Sequence, residues 1–262
     1  MNNTSDIVII GGGVIGTSIA YHLVRRGGAS VTLLERQALS NGTTGRSGAI
    51  VRQHYSHDFT IRMARDSLRV FQNFDEVIGG ECGFVATGML VVGGESDRES
   101  LHANITLQQA QGVKTRVLAP REISEVAPGY SDVGIGTACY ELEAGVADPM
   151  ATTHCFARRA HALGATIHEG VEVARIITNG EHITGVETGA GVFEAGMVIV
   201  AANVWSGALV EPLGIVLPIT ATRHPMLALR RPDDSGGRTG LHAVCLDLTR
   251  AIYLRPDSGG IT

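Results

Sequence analysis

The sequence predicts an α/β fold, α+β overall, with a discontinuous first domain on a parallel sheet and a second domain on a mixed or antiparallel sheet. Three observations lead there. Asp6–Ile10 is a short, β-branched, continuously apolar run, the pattern of a strand buried on both faces of a parallel sheet. Gly11, Gly13 and Gly16 follow it at once, and Ile15, Ile19 and Leu23 then recur at helical spacing up to Arg25–Arg26. Val31–Leu34 is a second apolar run that closes on Glu35–Arg36, so the first 36 residues read as one complete βαβ unit of the Rossmann-like kind.

Each further element has its own signal. Residues 37–56 are rich in Gly, Ser, Thr and Arg and read as an ordered functional loop. From Asp58 a helix is expected, with Ile61, Ala64, Leu68, Phe71 and Phe74 along one face. Phe84–Val92 reads as strands around Gly88, Arg98–Gln111 as a helix, and Pro120–Val126 as a short helix entered through proline. Asp148–Pro149 places a capping carboxylate and an N1 proline before a helix that runs to Leu163 and stops at Gly164. Short strands are expected over 166–169, 171–177, 183–188 and 192–195, then a wholly apolar one over Val198–Ala202. Residues 215–262 alternate strand-like runs with turns such as Asp233–Gly237. This order divides the chain into a nucleotide-binding domain of residues 1–78 and 145–214 and a second domain of 79–144 and 215–262.

Composition narrows the partners. Glycine is 34 of 262 residues, without a fixed period, which suits tight turns and close backbone approach to a ligand. The formal charge of −5 offers no basic surface for nucleic acid. Cys82, Cys139, Cys155 and Cys245 are widely spaced with no CxxC pair, and read as buried or free thiols of a reducing compartment. His54 and His57 are spaced like a metal pair but lack further ligands, so no metal is expected. The first apolar run is far too short for a signal or membrane segment, and a soluble cytoplasmic protein is the expectation.

The spacing of Gly11, Gly13 and Gly16 between a strand and a helix is G-x-G-x-x-G. The first glycine permits the tight turn, the second the approach of a pyrophosphate, and the third the packing of helix on strand. Val14 and Ile15 open the helix, whose unpaired N–H groups and dipole favour phosphate. Glu35 lies 19 residues beyond Gly16, where a carboxylate bonds ribose hydroxyls and disfavours a 2′-phosphate; Arg36 follows it. A dinucleotide site is therefore expected, and the fingerprint by itself leaves FAD and NAD both open.

The loop Thr43–Ser56, TTGRSGAIVRQHYS, resembles the segment after the second strand in the D-amino-acid-oxidase-like flavoproteins. Within that family it resembles members of the sarcosine oxidase beta subunit and dimethylglycine dehydrogenase type. Asp148–Met150 with its helix, Glu172–Ile176, and Val198–Ser206 are similar to later stretches of the same family. The resemblance implies non-covalent FAD, with 1–78 and 145–214 as its domain and 79–144 and 215–262 as the substrate domain. It implies oxidation of the C–N bond of a secondary or tertiary, sarcosine-like amino acid to an imine by hydride transfer to flavin. The implied partners are a small carboxylate-bearing amine and, as in some relatives, further subunits of a hetero-oligomeric oxidase or dehydrogenase. An NAD-dependent dehydrogenase and a non-catalytic or truncated flavin-binding subunit are the competing readings.

By the same resemblance Arg52 holds the substrate carboxylate, and Gly45, Arg46 and Ser47 contact the flavin or its phosphates. Val173 meets adenine through its backbone, Ala201 and Trp205 pass beside the flavin, and His224 and Tyr253 face substrate. Each has a plainer alternative: an ion pair for Arg52, turn chemistry for Arg46 and Ser47, core packing for Trp205. Two departures stand out. Arg46 and Pro149 occupy places where some relatives carry a flavin-linking histidine, and Asn203 replaces a glycine before the tryptophan turn. Family members also continue well past the equivalent of Thr262, so the match is C-terminally incomplete and part of the flavin-closing segment is expected to be missing.

Overall fold

In a computed structural model of the chain, residues 3–229 and 242–256 are described. They divide into two compact units, each assembled from separated stretches.

The first unit comprises residues 1–47, 75–82 and 148–224. Its centre is a four-stranded, all-parallel sheet in the order Met197–Val200, Ile7–Ile10, Val31–Leu34, Thr166–His168. The two middle strands are buried along their whole length, which is why they read as uninterrupted apolar runs. One face of this sheet is covered by a three-stranded antiparallel meander of Val173–Asn179, His182–Thr188 and Gly191–Glu194. Val8, Ile10 and Leu34 from the sheet interdigitate there with Ile176, Val186 and Phe193. The helices Val14–Arg26 and Pro149–Ala162 lie against the sheet and pack on each other, with the rings of Tyr21 and Phe156 5.7 Å apart. The second of these helices begins where the sequence signals it: the Asp148 carboxylate accepts from the N–H groups of Met150 and Ala151 at 2.8 and 2.9 Å.

The second unit comprises 48–74, 83–147 and 225–262. Its five-stranded mixed sheet runs Ile252–Leu254, Val244–Asp247, Met89–Gly93, Thr137–Glu141, Thr115–Leu118. Only the pair Val244–Asp247 with Met89–Gly93 is parallel. Successive side chains point to opposite faces, so Met89 and Val91 pack under the helix Arg98–Ala110 while Leu90 and Val92 join Leu118, Ile123 and Cys245. A small antiparallel sheet joins Ile50–Val51, Gly145–Val146 and Val85–Ala86. Among the described residues no helix is long and apolar enough to cross a membrane. All four cysteines are buried, and burial pushes the Cys139 and Cys245 thiols up to about 12.

Some elements differ from expectation. The helix from Asp58 ends at Gln72, and Phe74 belongs to a separate turn, Phe74–Val77, because Asn73 leaves helical geometry at φ −124°. Strands Thr115–Leu118, Thr137–Glu141 and Gly145–Val146 form where no strand is expected, held by pairing on both sides or by a distant partner. Residues 215–229 form no strand: Pro218 and Pro225 remove backbone donors, and Val216 stays 86% exposed. The turn expected at Asp233–Gly237 lies outside the described residues.

Candidate functional site

The first unit contains a cavity of about 1260 Å³ at the C-terminal ends of the strands Ile7–Ile10 and Val31–Leu34. Ligand pockets usually span roughly 300–1,000 Å³, so this one has room for a dinucleotide and not merely for a small amine. Its wall draws on the glycine turn, residues 34–37, 42–44, 170–174 and 189–190, the stretch from Val200 to Leu209, and Leu217 with Ile219. It lies at the carboxyl edge of a parallel sheet, where open α/β folds place their ligands.

The glycine turn is built by exclusion. Gly11 sits at φ +114°, and a Cβ there would come within 2.6 Å of the Ala201 carbonyl oxygen. A Cβ on Gly13 would lie 2.9 Å from Thr44 Oγ1, and one on Gly16 would overlap the Gly11 carbonyl oxygen. The backbones of Gly11, Gly16 and Ala201 and the Thr44 side chain are therefore crowded together at the turn. The helix Val14–Arg26 starts there with Gly13 as its N-cap, which brings no side-chain acceptor, and with no acidic residue in the first turn. Thr44 Oγ1 takes the N–H of Val14 at 3.2 Å. Other first-turn N–H groups have no acceptor within the helix, a geometry and dipole that suit an anion such as a pyrophosphate.

Glu35 closes the turn from the second strand. Its Oε2 accepts from the Gly12 N–H at 2.7 Å and its Oε1 from the Gln37 N–H at 2.9 Å. Each oxygen keeps a lone pair for a ligand hydroxyl. Beside it the Arg36 guanidinium lies over the Trp205 ring, 4.2 Å from the centroid, and both residues line the cavity. Trp205 is 38% exposed and is part of a wall, not of a core. Asn203 adopts φ +49°, in the left-handed region that asparagine tolerates better than most residues, and its Nδ2 donates to Thr43 Oγ1 at 3.1 Å. The replacement of glycine there is thus accommodated without rebuilding the turn.

The structure brings Gly11, Gly13, Ile15, Glu35, Arg36, Val173, Ala201 and Trp205 together around this one cavity. Val14 and Gly16 stand in the first helical turn without lining it. Gly45, Arg46 and Ser47 lie in successive turns closed by the Gly45, Arg46 and Ser47 N–H groups on the carbonyls of Ser40, Thr43 and Thr44; their side-chain positions are exposed and outside the cavity wall. His224 is exposed at the end of the first unit, its Nε2 3.1 Å from Thr222 Oγ1. Arg52 and Tyr253 belong to the second unit. Arg52 lies over the Tyr55 ring at 5.2 Å and makes no ion pair among the described residues. Tyr253 is exposed beside Gly48. Among the described residues no cluster of three or more His, Cys, Asp or Glu is arranged to hold a metal.

Two contributors escape a reading of the sequence. Thr44 caps the glycine turn, and the loop at 189–190 completes the wall beside the Val173 loop; each is placed by tertiary packing. Thr44 stands within the Thr43–Ser56 loop, so a polar residue facing the glycine turn was the signal available.

The family comparison agrees with this geometry. Residues 6–262 match the model of the DAO family, described as FAD dependent oxidoreductase. The chain is 30% identical over 254 residues to 4-methylaminobutanoate oxidase (formaldehyde-forming) of Paenarthrobacter nicotinovorans, covering 96% of this chain and 30% of the relative. It is 32% identical over 233 residues to sarcosine oxidase subunit beta of an Arthrobacter species, covering 86% and 56%. The chain thus spans about a third to just over half of the length of these relatives. Among solved structures, that of L-proline dehydrogenase from P. horikoshii is similar over all of this chain and 69% of its own, with a TM-score of 0.86 and 28% identity. With its glycine cradle, its acidic strand end and a family match running from the first strand onward, the chain belongs to the DAO family of FAD-dependent oxidoreductases.

Proposed function

We propose that the chain binds FAD non-covalently in the first-unit cavity and oxidises the C–N bond of a secondary or tertiary amino acid of the sarcosine type. The observation that carries the cofactor assignment is the glycine cradle: the space that a Cβ would fill at Gly11, Gly13 and Gly16 is closed by Ala201, Thr44 and Gly11 itself. Backbone N–H groups at Gly13 and Ile15 then hold the pyrophosphate, Glu35 takes ribose hydroxyls, and Val173, Ala201 and Trp205 flank the rings. Bound FAD supplies a two-electron acceptor for a hydride from the substrate carbon.

The chain's own contribution to the reaction is orientation. As hydride leaves carbon, the nitrogen lone pair becomes the second bond of an iminium ion, which water then hydrolyses. The amine must therefore present an unprotonated nitrogen and a fixed C–H bond. Arg52, which makes no ion pair among the described residues, serves as the cation that fixes the substrate carboxylate through two parallel N–H donors. His224 and Tyr253 are assigned to the substrate side. Two relatives whose names carry methylaminobutanoate and sarcosine support an N-methyl amino acid as substrate, and the one named as a subunit supports assembly with partner chains.

The test is anaerobic mixing of the FAD-loaded chain with sarcosine, proline and 4-methylaminobutanoate. Loss of the oxidised-flavin absorbance is expected with at least one of them. Arg52→Ala should weaken that amine roughly 100-fold, about 3 kcal/mol, while flavin content stays unchanged. No bleaching with any amine would reduce the chain to a flavin-binding subunit without turnover, and loss of flavin in Arg52→Ala would reassign the residue to structure.

A further inference from the structure

Within the second unit, the backbone from Arg52 to Tyr55 has no regular secondary structure, yet rigid elements hold it on two sides. From the sheet, Glu141 closes the strand Thr137–Glu141, where its backbone stands between Met89 and Thr115 of the neighbouring strands. Its Oε1 accepts both the Gln53 backbone N–H at 2.8 Å and the Gln53 side-chain amide at 3.2 Å. From the helix Arg98–Ala110, the Gln108 side-chain nitrogen donates to the Tyr55 carbonyl at 3.1 Å and lies 3.2 Å from His54 Nδ1. Gln53, Gln108 and Glu141 are all at most 1% exposed.

A buried carboxylate is a costly acceptor for the two Gln53 donors. Neither Glu141 Oε2 nor Gln108 Oε1 has a hydrogen-bond partner among the described residues. Solubility or core packing gives no reason to keep such groups here, since an apolar pair would fill the space without burying them. Their common effect is on the loop: the peptide on the C-terminal side of Arg52 is gripped by Glu141, and the one after Tyr55 by Gln108. Arg52 is also the cation whose charge both Glu141 and His54 feel.

We propose that Glu141 and Gln108 are positioning residues that pin residues 52–55 from the sheet and from the helix, and thereby set where Arg52 presents its guanidinium to the substrate carboxylate. The inference rests on the reading of Arg52 as the carboxylate clamp. A pinned clamp matters because an arginine displaced by about 1 Å loses bidentate geometry, which costs up to roughly 100-fold in a positioned reaction. Glu141 acts through Gln53 and touches neither substrate nor cofactor in this account.

The experiment compares the wild-type chain with Glu141→Gln and Glu141→Ala. Hydrogen exchange over residues 50–55 of the full chain reads the pinning directly, without cofactor or turnover. Titration of the FAD-loaded chain with acetate and with neutral acetamide, followed by flavin absorbance, reads the clamp. Glu141→Ala should speed exchange of the Gln53 amide by roughly tenfold or more and weaken acetate by roughly tenfold, with acetamide unchanged. Glu141→Gln keeps an acceptor for Gln53 and should restore both readouts, which a general loss of folding would not do. Equal exchange in all three proteins overturns the inference while acetate binding that depends on Arg52 still upholds the clamp. Absence of acetate binding to wild type overturns the clamp reading and the inference with it.

Discussion

The Glu35 carboxylate accepts the N–H of Gly12 at 2.7 Å, tying the end of the second strand to the middle of the glycine turn. The same carboxylate takes the Gln37 N–H, so one side chain holds two backbone segments of the cavity wall. Glu35→Ala should therefore lose about 1–3 kcal/mol of stability and weaken FAD roughly tenfold or more, because Gly12 is buried and its N–H is left unpaired. Thermal unfolding with and without FAD measures both effects. An unchanged FAD affinity would remove Glu35 from the cofactor site.

Glycine substitutions should separate cradle from turn. Gly11→Ala forces a Cβ against the Ala201 carbonyl, and Gly16→Ala drives one into the Gly11 carbonyl. Each is expected to cost at least about 2–3 kcal/mol and to abolish flavin retention. Gly28 also has a positive φ but open space around it, so Gly28→Ala should cost only about 1–2 kcal/mol and keep its flavin. Flavin content after gel filtration distinguishes the two outcomes.

The Arg36 guanidinium over the Trp205 ring joins two distant segments of the wall. A double-mutant cycle with Arg36→Gln and Trp205→Leu should show a coupling of about 0.5–2 kcal/mol in FAD affinity. Additive single effects would show that the stack is incidental to the cavity.

His54 imposes a pH dependence on stability. Burial, and next the Arg52 charge, lower its pKa from 6.5 to about 4. The folded chain thus resists a proton that the unfolded chain accepts at 6.5. Stability from this group is complete above pH 6.5 and is lost as pH falls towards 4, by roughly 3 kcal/mol. Glu141 works in the opposite sense, since burial raises its pKa and the folded state gains as it protonates. The His54 contribution is isolated by comparing denaturant unfolding of wild type and His54→Gln at pH 7 and pH 4.5. A wild type that loses no more stability than the variant would contradict it.

Much of the first unit is legible in the sequence because its determinants are local. A strand buried on both faces must be continuously apolar, and a turn packed backbone against backbone at Gly11 and Gly16 must have glycine there, so Ile7–Ile10 and the glycine turn declare themselves. Asp148 likewise announces the helix it caps. The missed strand Thr137–Glu141 has alanine, cysteine and glutamate where β-branched residues would have signalled it; its neighbours on both sides decide its conformation. Gln108 and Glu141 look like ordinary exposed polar residues in one dimension, and only packing reveals them as buried and joined to 53–55. Trp205 could equally have been core; its stack with Arg36 at the cavity is a tertiary fact. Exposed apolar residues at 215–229 show the opposite failure, a strand-like pattern with no partner strand to realise it among the described residues.

Titration of the purified chain with FAD and, separately, with NADH, followed by acid precipitation of the FAD complex, tests the central claim most directly. The account predicts saturable, equimolar FAD binding, loss of that binding in Gly11→Ala, and release of all the flavin into the acid supernatant. A chain that stays colourless with FAD but binds NADH would contradict it, as would flavin that remains with the precipitated protein.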